Sequence, residues 1–378
     1  MAEKKMDFLQ YMSAHETEIM QDLTELVLAE SATYSRDRVL RCGEVLKGLV
    51  KRRLGLEPVQ EYPQEQFGSH MYYELGEGDS RIMCIGHYDT VWEKNAPAFR
   101  AEGGELHGPG VYDMKAGIIT MIWALKACAD LGIRLRHRVG MFFNCDEEMG
   151  SFTSKSIIWE RAKGCKCCFV LEPSSPAGAV TTARKGCSDY VVNIYGRAAH
   201  AGAAHAEGRN AIAEMARLVT YLESLTDYDS GTTFNVGVCS GGSRACIVPD
   251  FATFTVNCRY TSMEERQRCY DIVHGLRSSR EGIRVEAHGE MGQPPLLETP
   301  ENMALYQLVR EAGAAYGLDI GKQFGGGTSN ANDVAMVGVP VIDGMGPAGR
   351  GAHASDECIY LDKFLPRIAM FTAVLERI

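Results

Sequence analysis

The chain carries no surplus of positive charge, and that removes one class of partner at the outset. Its 378 residues hold 39 Lys and Arg against 49 Asp and Glu, a formal net charge of −10. No basic arm or stripe offsets this balance, so neither nucleic acid nor an acidic membrane surface is an expected partner. No run approaches the ~20 apolar residues of a membrane span. The charged start, Met1-Ala2-Glu3-Lys4-Lys5-Met6-Asp7, lacks the apolar segment of a signal peptide. Low-complexity tracts and internal repeats are missing as well. The 13 cysteines are odd in number and scattered. They do not read as a disulfide framework, and a reducing cytoplasmic location is expected. Cys165-Lys166-Cys167-Cys168 has no matching Cys/His pair downstream and reads as a strand with core cysteines rather than a metal knuckle.

What is present is an ordinary globular composition, 45% hydrophobic and 23% charged with 40 Gly, in a chain long enough for two domains. Apolar positions at helical spacing occupy 6–30 and 36–52. Two strands are predicted near 69–75 and 81–86, joined by Gly76-Glu77-Gly78-Asp79-Ser80. A helix over 117–131 places Ile118, Met121, Ile122, Leu125 and Cys128 on one stripe. Strands follow at 138–143 and 167–171. This alternation predicts an α/β fold with a mainly parallel sheet. After Lys185-Gly186 the order becomes strand 188–195, helix 208–226, strands 232–239 and 251–259, helix 263–280 and strand 283–288. That β-α-β-β-α-β sequence is ferredoxin-like. A helix at 301–316, a strand at 339–343 and a C-terminal helix then resume the first pattern. The reading is one domain of residues 1–186 and 294–378, with a second of 187–293 inserted.

Five polar clusters fall at predicted strand ends or in loops of the larger domain: His87 with Asp89, Asp113, Asp146-Glu147-Glu148, Glu172, and His353. Singly, each passes as a turn former, a helix cap or a solvated loop. Jointly they fall where the carboxyl edge of the sheet should lie, the edge where open α/β sheets place ligands. Imidazole and carboxylate are donors that suit zinc, and their wide separation in sequence requires the fold to gather them.

With these pieces assembled, the sequence resembles the co-catalytic zinc peptidases and N-acyl-amino-acid amidohydrolases. That family includes glutamate carboxypeptidase, aminoacylase, acetylornithine deacetylase and succinyl-diaminopimelate desuccinylase. The resemblance rests on Gly86-His-Tyr-Asp-Thr-Val91, Gly108-Pro-Gly-Val-Tyr-Asp-Met-Lys-Ala-Gly117 and Asp146-Glu-Glu-Met-Gly-Ser151. It continues through Leu171-Glu-Pro173, Gly196-Arg-Ala-Ala-His-Ala-Gly202 and Gly351-Ala-His353. Gly202-Ala-Ala and Glu207-Gly-Arg-Asn-Ala211 are most similar to the glutamate carboxypeptidase branch.

The resemblance implies two zinc ions, one on His87 and Glu172, the other on Glu148 and His353, with Asp113 bridging them. Co²⁺ or Mn²⁺ would also suit such donors. It implies Glu147 as general base, Asp89 as the partner of the free nitrogen of His87, and a cis peptide after Asp113. In the inserted lid and dimerisation domain it implies that His200 serves the oxyanion of a neighbouring subunit, hence a homodimer. Arg259, with Gly326 and Gly327, would grip a substrate carboxylate. The expected function is hydrolysis of a peptide or N-acyl amide beside a free carboxylate, on a small-molecule or peptide substrate. Two alternatives stand beside it: a biosynthetic deacylase of the acetylornithine or succinyl-diaminopimelate type, and a non-catalytic binding module. Loss of a ligand or of Glu147 would mark the last, and the chain keeps them all. Cys246, His205 and Gln293 depart from common family residues, and all three bear on the substrate pocket rather than the metals.

Overall fold

The computed structural model describes residues 7–378. The strand Arg81–His87 lies inside a six-stranded sheet, and its composition follows from that place. A parallel strand covered on both faces buries side chains pointing either way, so apolar residues run on without alternating. Ile82, Met83, Cys84 and Ile85 are all buried. The sheet order is Gln60–Pro63, Ser69–Leu75, Arg138–Asn144, Arg81–His87, Cys168–Val170, Val341–Ile342. The last four strands are parallel, and the first two are added antiparallel at one edge. His87 pairs in register with Asn144, and Ile85 with Val170. Three parallel strands therefore end side by side, each handing over to a polar segment.

The helical run predicted over 6–30 is divided at His15 into Phe8–Ala14 and Glu16–Leu28. Met6 lies outside the described residues. The helix Ala116–Asp130 differs from its prediction: it is buried on nearly every side rather than along one stripe. The cause is its setting, with the Arg81–His87 strand against it and the helices Glu16–Leu28, Arg36–Leu54 and Leu361–Arg377 packed around it. Gly117 sets how close that packing comes. A Cβ there would lie 2.0 Å from the carbonyl oxygen of Leu171, so only glycine lets the helix sit on the residue before Glu172.

A small antiparallel sheet was not legible in the sequence. It orders Gly349–Arg350, Cys358–Tyr360, Glu105–His107 and Arg100–Glu102. The first two strands form a hairpin whose loop carries His353. The third runs directly into Gly108-Pro109-Gly110.

Two compact units make up the chain. The first comprises residues up to Ala183 with Glu298–Phe324 and Ser329–Ile378; the second comprises Arg184–Leu297 with Gly325–Thr328. In the second, the strands Thr233–Gly241, Phe251–Tyr260, Gly186–Tyr195 and Arg284–His288 form one antiparallel sheet in that spatial order. Taken in chain order this is 2-3-1-4, the ferredoxin-like arrangement. It has its own core of Tyr190, Val192, Ile194, Phe234, Phe254 and Val256 beneath the helices Ala211–Glu223 and Met263–His274. Among the described residues no helix is long and apolar enough to cross a membrane. All 13 cysteines are free thiols.

Candidate metal centre

The first unit gathers seven of the polar residues singled out in the sequence. His87 ends its strand with the ring buried, and its Nε2 lies 3.1 Å from Asp113 Oδ1 and 3.6 Å from Glu172 Oε1. Glu147 Oε2 is 4.0 Å away. On the other side of Asp113, Oδ2 lies 3.4 Å from His353 Nε2, which is itself 2.9 Å from Glu148 Oε2. One oxygen of Asp113 thus faces each histidine. Donor atoms of His87, Glu147 and Glu172 lie within 4.8 Å of one another, as do those of His87, Asp113 and Glu148.

The tautomer of His87 follows from its partners. Its Nδ1 lies 3.0 Å from the carbonyl oxygen of Asp89 and 3.5 Å from that residue's Oδ1. A carbonyl can only accept, so Nδ1 must carry the proton, and in the neutral ring the lone pair is left on Nε2, facing Asp113 and Glu172. The Asp89 carboxylate has further partners. Its oxygens accept the backbone N–H groups of Glu147 and Glu148, both at 3.3 Å, and the hydroxyl of Thr33 at 2.9 Å. It therefore also anchors the helical turn Glu147–Met149, the turn that consecutive glutamates need if both are to face one site. Asp146 braces the far side, accepting from Thr153 N, Thr153 Oγ1, Ser154 N and Ser154 Oγ. Asp113 sits in an irregular wide turn, Val111–Lys115, and the Asp113–Met114 peptide is cis.

Charge in this cluster is unbalanced. Burial pushes the Glu147 carboxyl well up, helped by the charges of Glu172, Glu148 and Asp113. Glu148 is raised by burial and by Asp113. Glu172 is raised to about 7, again by burial and then Asp113. Burial acts upward on Asp113 too, but hydrogen bonds with His353 and His87 overrule it and hold that carboxyl well below the usual range. The same bonds to Asp113 and Glu148 push His353 up to about 11. Four carboxylates here can ionise together only if positive charge is supplied among them. Metal cations would supply it, and the donor set fits them: Glu148 Oε1 is buried without a hydrogen-bond partner. Hard carboxylate oxygens mixed with imidazole nitrogens are what zinc and neighbouring divalent metals take.

A further cluster of donor type, Glu105, His107 and Cys358, is already neutralised, because the Arg350 guanidinium makes paired bonds to both Glu105 oxygens.

The remaining predicted residues belong to the second unit. His200 lies on the two-residue strand Ala199–His200, paired with Ile247–Val248, and its Nδ1 accepts the N–H groups of Gly202 and Ala203 at 3.1 Å. Arg259 is the next-to-last residue of the strand Phe251–Tyr260 and donates from Nε to Asn257 Oδ1 at 3.0 Å. Gly326 and Gly327 lie in the Gly325–Thr328 segment, where Arg184 donates to the Gly327 carbonyl at 3.1 Å. His205 and Arg244 line a cleft of about 520 Å³ in this unit.

One residue that sequence reasoning missed is Glu357. It is buried, and its two oxygens accept from Gly110 N, Tyr112 N, Asp113 N and Trp92 Nε1. The one available signal was an acid set directly before the apolar strand Cys358–Tyr360.

A donor cluster of this kind at the carboxyl end of a parallel sheet suits a metal-dependent enzyme of α/β architecture. The chain belongs to peptidase family M20/M25/M40, whose model matches residues 83–377. Carboxypeptidase G2 of Pseudomonas sp. (strain RS-16) is 29% identical over 356 residues, covering 91% of this chain and 85% of that protein. Succinyl-diaminopimelate desuccinylase of Thioalkalivibrio sulfidiphilus is 24% identical over 334 residues, 82% of this chain and 86% of that one. Among solved structures, aminopeptidase PepT of Bacillus cereus superposes with a TM-score of 0.78 at 21% identity, covering 96% of this chain and 98% of the other, a likeness of fold.

Proposed function

We propose that this chain is a di-zinc amidohydrolase that cleaves a peptide or N-acyl amide beside a free carboxylate, of the carboxypeptidase or N-acyl-amino-acid hydrolase type. The observation that carries the proposal is Asp113 set between His87 and His353 with one oxygen toward each. A carboxylate so placed would be suited to serve both members of a cation pair. His87 and Glu172 would complete one shell, Glu148 and His353 the other. When bound, the zinc ions supply Lewis acidity toward the amide carbonyl and bring the pKa of water down toward ~7. Co²⁺ or Mn²⁺ could stand in for them.

The chain's own groups do the rest. Glu147 holds no hydrogen-bonded cation and faces the cluster with its carboxylate, so it serves as the general base that takes a proton from water and returns it to the leaving amine. Asp89 keeps the His87 tautomer through its carbonyl and keeps Glu147 aimed through its carboxylate. In the second unit, His200 is assigned to the oxyanion in a homodimer, and Arg259 with the N–H groups of Gly326 and Gly327 to the substrate carboxylate. A planar guanidinium is suited to bidentate carboxylate recognition. The free thiols support a cytoplasmic location for the enzyme.

A second reading, a biosynthetic deacylase acting on an N-succinyl or N-acetyl diamino acid, is favoured by the match to succinyl-diaminopimelate desuccinylase. One screen separates the two. Zinc-loaded protein is offered N-acyl amino acids, peptides ending in glutamate, N-acetylornithine and N-succinyl-diaminopimelate, each also with its carboxylate amidated. The proposal expects turnover of the first two groups and its loss on amidation. Turnover indifferent to the carboxylate would overturn it, and a preference for the last two would install the second reading.

A further inference from the structure

We propose that Glu357 is a positioning residue of the metal centre, fixing the main chain of Asp113 and the His353 loop in one register. The inference rests on the two-metal reading above. A carboxylate has about four lone-pair sites and no proton to donate. At Glu357 four donors fill them: Tyr112 N at 3.0 Å and Asp113 N at 3.1 Å on Oε1, Gly110 N at 3.1 Å and Trp92 Nε1 at 2.7 Å on Oε2. Three of these are backbone groups of Gly110–Asp113, the run that enters the irregular turn. That turn leaves regular secondary structure, so its N–H groups have no ladder to satisfy them, and a buried unpaired N–H is costly.

Glu357 itself closes the hairpin loop that carries His353, with its N–H donating to Ala354 O at 2.9 Å. Below the loop, Cys358 pairs in register with His107, the residue that leads into Gly108-Pro109-Gly110. One side chain thus joins the bridging aspartate and the outer histidine from behind, and it touches neither proposed metal. Glutamine cannot replace it, because its NH₂ would face N–H donors. Aspartate, one methylene shorter, cannot reach both pairs of donors.

The test compares Glu357→Gln with Asp22→Asn. Asp22 is an equally buried carboxylate with four donors (two from Arg53, one each from Arg52 and Trp123), and it stands outside the donor cluster. Zinc affinity is read by competition with a fluorescent chelator, and stability by urea denaturation. Glu357→Gln should weaken zinc binding about 10–100-fold, the range for residues that orient metal ligands. Asp22→Asn should lose stability with native zinc affinity. Should Glu357→Gln fail to fold, Glu357→Asp decides, with an expected loss of several-fold in zinc affinity. Native zinc affinity in the Glu357 variant that folds, or an equal loss in Asp22→Asn, overturns the inference while leaving the two-metal reading intact. A native protein that takes up no zinc overturns both.

Discussion

Removing metal and titrating stability would expose Glu172 directly. An unfolded glutamate ionises near 4.5, whereas Glu172 in the fold is raised to about 7 by burial and by the charge of Asp113. Between those values the folded chain holds a proton that the unfolded chain has released. The stability contributed by Glu172 is therefore fully present below about pH 4.5 and is lost as pH rises through 7. The interval spans about 2.5 pH units at about 1.36 kcal/mol each, so ionising Glu172 costs the metal-free fold about 3 kcal/mol by pH 8. Glu357, also raised to about 7, adds in the same direction, whereas His70, lowered by burial, acts in the opposite one below 6.5. Comparing the native protein with Glu172→Gln cancels both, and the difference reports Glu172 together with His87 and Glu147, whose shifts its charge helps to set. The assay is urea denaturation in chelator at pH 5, 6, 7 and 8, followed by tryptophan fluorescence. Trp92, Trp123 and Trp159 all lie in the first unit, so the signal reports that unit alone. Because the range starts half a unit above the unfolded value, the native protein should lose about 2–3 kcal/mol more than the variant across it. Zinc should reverse the trend, because protons and metal compete for the same oxygens and protection grows with pH. Parallel profiles for the two proteins, within 1 kcal/mol, would refute the reasoning.

Other outcomes follow from the same geometry. Glu147→Gln should lower kcat about 10²–10⁴-fold with zinc content unchanged; native turnover would remove Glu147 from proton transfer, and loss of zinc would make it a ligand. Gly117→Ala drives a Cβ to 2.0 Å from the Leu171 carbonyl, where only backbone can give way, so it should cost about 3 kcal/mol or more in urea denaturation. A cost below 1 kcal/mol would show that helix and sheet do not meet as described. Asp89→Asn keeps the backbone carbonyl that faces His87 but sets an NH₂ against one of the two amides of Glu147 and Glu148, which donate to different oxygens, so kcat should fall further than zinc affinity.

Much of this architecture was legible because its signals are local. The uninterrupted apolar run Ile82–Ile85 marks a strand buried on both faces, and the 2-residue and 3.6-residue periods of 186–288 spell out the second unit in order. The residues of the donor cluster stood out for another reason: each closes a strand or opens a loop, and their types are costly to bury without a purpose. What escaped was non-local. The small sheet of 100–107 and 349–360 is built from two- and three-residue strands too short to show a period, and Cys358 pairs with His107, 251 residues earlier in the chain. Glu357 looks like any loop acid until that sheet brings it beneath Gly110–Asp113. The role of Asp89 was half visible. Its closeness to His87 could be read from sequence, but its hold on the Glu147–Glu148 turn depends on the register of Arg81–His87 against Arg138–Asn144.

The measurement that bears most directly on the central claim is zinc stoichiometry by elemental analysis of native protein, Asp113→Ala and His353→Ala, each dialysed against limiting free zinc. One oxygen of Asp113 toward each histidine predicts two zinc ions in the native chain, none retained by Asp113→Ala, and one by His353→Ala. A native chain with a single zinc, or an Asp113→Ala variant that keeps two, would contradict it.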